Sequence, residues 1–145
     1  MRIDIDHILL EIESLPEYQT QLSLQITSDG NSGEGKLEKL NHVEKDFNIF
    51  AYDLPYTNSV LAQLGMYRSR LMRMKPKTCY SYHWDPTKRM HIPLITNENN
   101  FFVIDDEVSR YPADGSYYLV DTTKKHTFVN ASFENRLHIV GCVDE

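Results

Sequence analysis

From Tyr67 onward the chain is broken into short apolar or alternating segments with turn residues between them, and no helical period is sustained. The segments 67–74, 79–84, 89–96, 101–104, 116–120, 126–129 and 136–143 each read as a strand. Asn97-Glu98-Asn99-Asn100 has the composition of a hairpin turn and Pro112-Ala113-Asp114-Gly115 that of a tight connection. A run of short strands of this kind must hide its edges. The expected fold is therefore mainly β, a jelly roll or barrel, with the core over about 67–145.

Residues 1–66 read differently. Ile5, Ile8, Leu9, Ile12 and Leu15 recur at helical intervals and stop before Pro16, which predicts an amphipathic helix over 5–15. Leu22, Leu24 and Ile26 alternate with polar residues, predicting a half-buried strand over 21–27. A turn-rich loop occupies 28–35, too short for a domain linker, and a second helix is expected over 57–64. These elements buttress the β core, so all 145 residues form one expected domain.

The charge balance limits the partners. A formal net charge of −6 argues against a nucleic-acid surface, because phosphate binding needs clustered Lys and Arg. One basic stretch, 68–77, opposes the trend. It reads as a strand with solvated side chains or as a basic wall facing an anionic ligand, and the first is the simpler reading. Cys79 and Cys142, with no secretory signal at the N-terminus, suggest a reducing compartment and free thiols. No apolar run approaches membrane-spanning length, so a soluble, cytoplasmic protein is expected.

The chemistry is concentrated in His83-Trp84-Asp85, then His126, then Arg136. Residues two apart on a strand share a face, so His83 and Asp85 can offer an imidazole and a carboxylate to one point, and a distant strand can bring His126 there. Two imidazoles and a carboxylate on one side of a metal leave positions open for a bidentate cosubstrate and O₂, as in non-haem iron(II) oxygenases. Zinc accepts the same ligands. Arg136 favours iron: a guanidinium on the last strand can grip the far carboxylate of a dicarboxylate through two parallel hydrogen bonds, which a zinc hydrolase does not need. Arg89 and His91 share a strand face just past the first motif and would suit the chelating end of 2-oxoglutarate.

The segment from His83 to Leu94, with its His-x-Asp and Arg-Met-His elements, resembles the aspartyl/asparaginyl β-hydroxylase family of 2-oxoglutarate oxygenases. The stretch from Gly115 through His126 to Val140 is similar to that family's second metal-histidine region. The likeness spans about 79–143. It implies a double-stranded β-helix, cupin-like fold and a hydroxylase of a protein or peptide side chain or an amino acid. It further implies iron(II) on His83 and His126, Arg136 on the distal carboxylate of 2-oxoglutarate, and Arg89 and His91 near the metal. One departure is informative: the family members that act on epidermal-growth-factor-like domains have Gly where this chain has Asp85. The carboxylate completes the triad, argues against a halogenase and puts that substrate in doubt.

The resemblance implies oxidative decarboxylation of 2-oxoglutarate to succinate and CO₂ coupled to hydroxylation, with no general acid or base beyond the metal centre. Demethylation or desaturation on the same core, a zinc hydrolase, and a non-catalytic cupin-like module holding metal or dicarboxylate are the alternatives. Tyr80 is a candidate hydrogen-bond donor to 2-oxoglutarate. Trp84 should point away from the metal into the core, His7 and His42 should lie on the surface, and His138 should line the cavity or sit in the core. The N-terminal helix, 30–35 and 53–58 are expected to shape the entrance. The chain is short for this class, which leaves a partner or a second copy as candidates to complete the substrate site.

Overall fold

The computed structural model describes residues 1–37 and 41–144; residue 145, the far end of the expected core, lies outside the described residues. Eight strands build the body: β4 (Tyr67–Met74), β5 (Thr78–Cys79), β6 (Arg89–Ile95), β7 (Asn100–Ile104), β8 (Glu107–Ser109), β9 (Tyr118–Val120), β10 (His126–Asn130) and β11 (Arg136–Cys142). They follow β1 (Gln21–Ser23), β2 (Gln25–Ile26) and β3 (Ile49–Phe50), with helices α1 (Ile5–Ile12) and α2 (Pro55–Gln63). One sheet has the order β1-β4-β11-β6-β9 and the other β5-β10-β7-β8. Every pairing is antiparallel. From β4 to β11 the chain alternates between two sheets, apart from the β7–β8 hairpin within the smaller one, which is the double-stranded β-helix.

Strand alternation sorts the side chains into two clusters. Leu71, Ile92, Leu94, Leu137 and Ile139 face outward and bury against Ile8, Val60 and Leu61 of the helices. Met74, Phe102, Val120 and Phe128 meet between the sheets. On β11 the residues between the outward pair, Arg136 and His138, turn inward, and both are buried. The helices thus seal the back of the larger sheet and leave its inner face for chemistry. Asp4 caps α1 by accepting from the His7 backbone N–H at 3.1 Å, and Pro55 opens α2 at its first turn.

The expected strand over 21–27 divides at Leu24. The Leu24 N–H donates to Ser69 O and its own carbonyl accepts from Ala51, so β1 joins the large sheet while β2 pairs with β3. The Asn97–Asn100 turn forms, but it carries the chain from one sheet to the other rather than closing a hairpin ladder. The true hairpin is β7–β8, turned by Asp105 and Asp106 at φ 48° and 65°. Two consecutive positive φ values suit the strand twist, and Asp tolerates them better than most residues. Cys79 is exposed and Cys142 buried, and both thiols are free. No helix among the described residues is long and apolar enough to cross a membrane.

Candidate metal centre and cavity

Backbone pairing brings the two histidines together. His83 N donates to His126 O at 3.0 Å and His126 N to His83 O at 2.8 Å, so the residues face each other across the mouth of the barrel. The segment 79–84 is not the continuous strand expected: β5 ends at Cys79, Tyr80 N still donates to Phe128 O at 3.1 Å, and the pairing with β10 resumes at His83. Asp85 N then donates to Thr122 O at 2.8 Å, which fixes the carboxylate beside the imidazoles.

His83, Asp85 and His126 place one ligand atom each within 4.8 Å of one another. Asp85 Oδ1 lies 3.9 Å from His83 Nε2 and Oδ2 lies 3.5 Å from His126 Nε2. Adjacent ligands of an octahedron with bonds of about 2.1 Å sit about 3 Å apart, so a metal would draw this set inward only slightly. Each ring is also held the right way round. His83 Nδ1 lies 2.6 Å from Ser81 O and His126 Nδ1 lies 2.8 Å from Lys124 O. A carbonyl can only accept, so each Nδ1 carries the proton and each Nε2 presents a lone pair. His126 Nε2 is buried with no hydrogen-bond partner among the described residues, and burial holds the His126 pKa below the ordinary value, favouring the neutral ligand form. The residues fit a divalent metal.

Beside this trio lies a cavity of about 830 Å³. Arg136, Arg89, His91 and Tyr80, the four residues expected to bind the cosubstrate, all line it. Arg136 is 2% exposed, and its Nε and Nη1 have no hydrogen-bond partner. Its guanidinium sits 5.5 Å over the Phe128 ring. Burial lowers its pKa to about 10, still charged at neutral pH. His91 Nδ1 lies 3.0 Å from His138 Nδ1. One of these atoms must donate and the other accept, so the two rings hold opposite tautomers. Burial, then the Arg136 charge, pushes both pKa values well below the ordinary range, so both rings are neutral. Tyr80 packs edge-on against Phe128.

Arg89 is already paired. Its Nη2 meets Glu44 Oε2 at 3.0 Å and lies 4.0 Å from Asp85 Oδ1. Glu44, which the sequence did not single out, also takes Arg68 Nη1 at 2.8 Å and the Thr87 hydroxyl at 2.9 Å. Burial raises the Glu44 pKa, but Arg89 and the hydrogen bonds from Arg68, Cys142 and Thr87 outweigh it and hold it at about 2. A carboxyl depressed from 4.5 to about 2 stabilises the fold fully above pH 4.5 and loses that contribution as the pH falls towards 2. The contribution amounts to about 3 kcal/mol, of which about 2 kcal/mol is gone at pH 3. Urea unfolding at pH 6 and pH 3 should show this loss in the wild type and not in Glu44→Gln.

Three other expectations change. Trp84 is 63% exposed on the cavity rim, with Lys125 5.8 Å above its ring, because the irregular backbone here leaves no sheet behind it to bury the indole. Helix α1 and residues 53–58 lie behind the large sheet and do not shape the entrance, which is lined by Gly35 of the expected 30–35 loop together with Thr20, Gln21, Lys36 and Leu37. The basic stretch is solvated only in its second half: Lys75 and Lys77 are exposed, whereas Arg68 and Arg70 are buried and line the cavity. His7 stacks on Tyr56, and His42 lies between Asp29 and Asp46.

The profile of the aspartyl/asparaginyl β-hydroxylase family matches residues 4–144. The chain belongs to that family. Membership in the aspartyl/asparaginyl β-hydroxylase family thus extends over the helices and β1–β3 as well as the barrel. Among curated proteins none matches the chain. Solved structures with a similar core include the plu4264 protein of Photorhabdus luminescens, at 16% identity over 56% of this chain and 64% of that one, TM-score 0.44. A cupin 2 conserved barrel domain protein of Salinispora arenicola is 14% identical over 55% of this chain and 64% of its own, TM-score 0.44. An oxalate decarboxylase, so described by prediction, from Thermotoga maritima is 12% identical over 59% and 72%, TM-score 0.45. The chain spans less than two thirds of the length of the first two.

Proposed function

We propose that the chain is an iron(II)- and 2-oxoglutarate-dependent dioxygenase that hydroxylates a protein or peptide side chain or an amino acid. The observation that carries this reading is a lone-pair triad, two of whose members, His83 and Asp85, line the same cavity as a buried guanidinium whose Nε and Nη1 no described group satisfies. His83, Asp85 and His126 would hold the metal on one face and leave its other positions to ligands. Metal, 2-oxoglutarate and O₂ together would supply the oxidising power, with succinate and CO₂ as the products of the cosubstrate.

The chain's own residues position and exclude. Arg136, whose Nε and Nη1 are buried without an acceptor, offers its guanidinium to the distal carboxylate. With His138 donating from Nδ1, His91 keeps its proton on Nε2 and turns a donor towards the chelating carboxylate. Phe128 and Tyr80 line the space beside Arg136 and strengthen its attraction for an anion by keeping water out. Arg89, pinned by Glu44, holds a positive charge 4.0 Å from the Asp85 carboxylate.

The experiment is to incubate the protein with Fe(II) and labelled 2-oxoglutarate in air and measure succinate. Oxygen-dependent succinate formation supports the reading, even when slow and uncoupled from a prime substrate. Binding of 2-oxoglutarate without succinate, under all substrates tried, favours a metal- and dicarboxylate-binding module. Activity that persists without oxygen or 2-oxoglutarate, with zinc in the site, favours a hydrolase.

A further inference from the structure

Arg70 is a second guanidinium that the fold buries, with no paired carboxylate among the described residues. It lies on the inner face of β4, is 6% exposed and lines the cavity. Its Nη1 donates to Gln21 Oε1 at 3.1 Å, while its Nε is buried with no partner. Its neighbours do not help. Arg68 and Arg89 share the single Glu44 carboxylate, and no carboxylate among the described residues pairs with Arg70. Burial, with repulsion from Arg68 and Arg89, lowers its pKa to about 10, which still leaves it charged at neutral pH. An isolated buried charge destabilises a fold, and it persists where a ligand of opposite charge compensates it.

Strand register separates this charge from Arg136. Across the large sheet Arg70 stands opposite Val140, and Val140 opposite His91. Arg136 lies four residues further along β11, roughly 13 Å away along the strand at about 3.3 Å per residue. A cosubstrate anchored on Arg136 therefore leaves the Arg70 guanidinium unmatched. Gln21, at the entrance, is oriented by accepting from both Arg70 and the Gly35 N–H.

We propose that Arg70, oriented by Gln21, forms a second anion subsite that receives a carboxylate of the prime substrate while Arg136 holds the cosubstrate. The assignment of the two anions to substrate and cosubstrate rests on the dioxygenase reading; the existence of two separate subsites does not. Two substrate sources carry the required group: the α-carboxylate of a free amino acid and the side-chain carboxylate of an acidic residue in a peptide.

The test uses anaerobic Fe(II)-loaded protein saturated with 2-oxoglutarate and titrated calorimetrically with three probes. These are L-alanine, N-acetyl-L-aspartic acid α-methylamide and, lacking any carboxylate, N-acetyl-L-alanine methylamide. At least one carboxylate probe should bind the wild type, and Arg70→Gln should weaken it at least tenfold while changing 2-oxoglutarate affinity less than threefold. L-Alanine as the responsive probe identifies a free amino acid, and the capped aspartate an acidic side chain. Arg70→Lys, which keeps the charge and folds under less change, should weaken the same probe by less than Arg70→Gln. The thermal unfolding temperature of ligand-free Arg70→Gln should equal or exceed that of the wild type, since a structural Arg70 would lower it. Carboxylate probes that bind neither protein, or both equally, overturn the proposal. A loss of 2-oxoglutarate binding in Arg70→Gln as large as in Arg136→Gln also overturns it, by making Arg70 part of the cosubstrate site. If Arg136→Gln leaves 2-oxoglutarate binding intact while Arg70→Gln still loses the probe, the cosubstrate reading fails and the Arg70 subsite stands.

Discussion

Arg136→Gln is expected to raise the 2-oxoglutarate concentration needed for half-saturation by about 10²–10³-fold, measured on Fe(II)-loaded protein without oxygen. The size follows from burial. Arg136 has Nε and Nη1 turned to no acceptor among the described residues, so a carboxylate there would gain charge-assisted hydrogen bonding out of water. Truncating one partner of such a pair costs about 2–5 kcal/mol. The same substitution should leave the ligand-free protein at least as stable as the wild type, because it removes a buried charge that has no internal partner. A half-saturation within twofold of the wild type would place the dicarboxylate elsewhere.

Asp85→Ala is expected to reduce turnover by more than about 10³-fold and metal affinity by more than about 100-fold, since even groups outside the ligand shell cost 10–100-fold. The carboxylate is the only anionic member of the trio, and it reaches both imidazoles, at 3.9 and 3.5 Å. Without it two neutral rings face a dication near the Arg89 guanidinium, 4.0 Å from the present carboxylate. Calorimetric Fe(II) or Mn(II) binding and succinate formation measure the two effects separately. Wild-type succinate formation in the variant would remove Asp85 from the metal set.

The barrel and the meeting of His83, Asp85 and His126 were legible because they depend on local pattern. Alternation along 136–143 separates Leu137 and Ile139 from Arg136 and His138, and the structure buries the two sets on opposite faces of β11. The spacing of His83, Asp85 and His126 was readable in the same way, although a backbone pair rather than a continuous strand brings them together. Glu44 was not legible: it lies in a short 3₁₀ turn, 24 residues before Arg68 in sequence, and only the fold brings it to Arg68 and Arg89. Arg70 was visible in the basic stretch, but which face of β4 it occupies depends on the register with β11. The entrance was placed only in part: Gly35, at the end of the expected 30–35 loop, lines it, but α1 and residues 53–58 carry apolar residues that bury behind the sheet, while Gln21, Lys36 and Leu37 carry no distinguishing pattern. The β7–β8 hairpin was missed because Asp105-Asp106 lacks the glycine that usually marks a two-residue turn.

The central claim is that one cavity holds both a metal and a 2-oxoglutarate chelate. Anaerobic titration of the Fe(II)-loaded protein with 2-oxoglutarate, followed in the visible spectrum, tests it most directly. The predicted result is a weak, saturable metal-to-ligand charge-transfer band that is absent in Asp85→Ala and needs about 10²–10³-fold more 2-oxoglutarate in Arg136→Gln. Wild-type protein that binds Fe(II) yet develops no band at any 2-oxoglutarate concentration would contradict the claim.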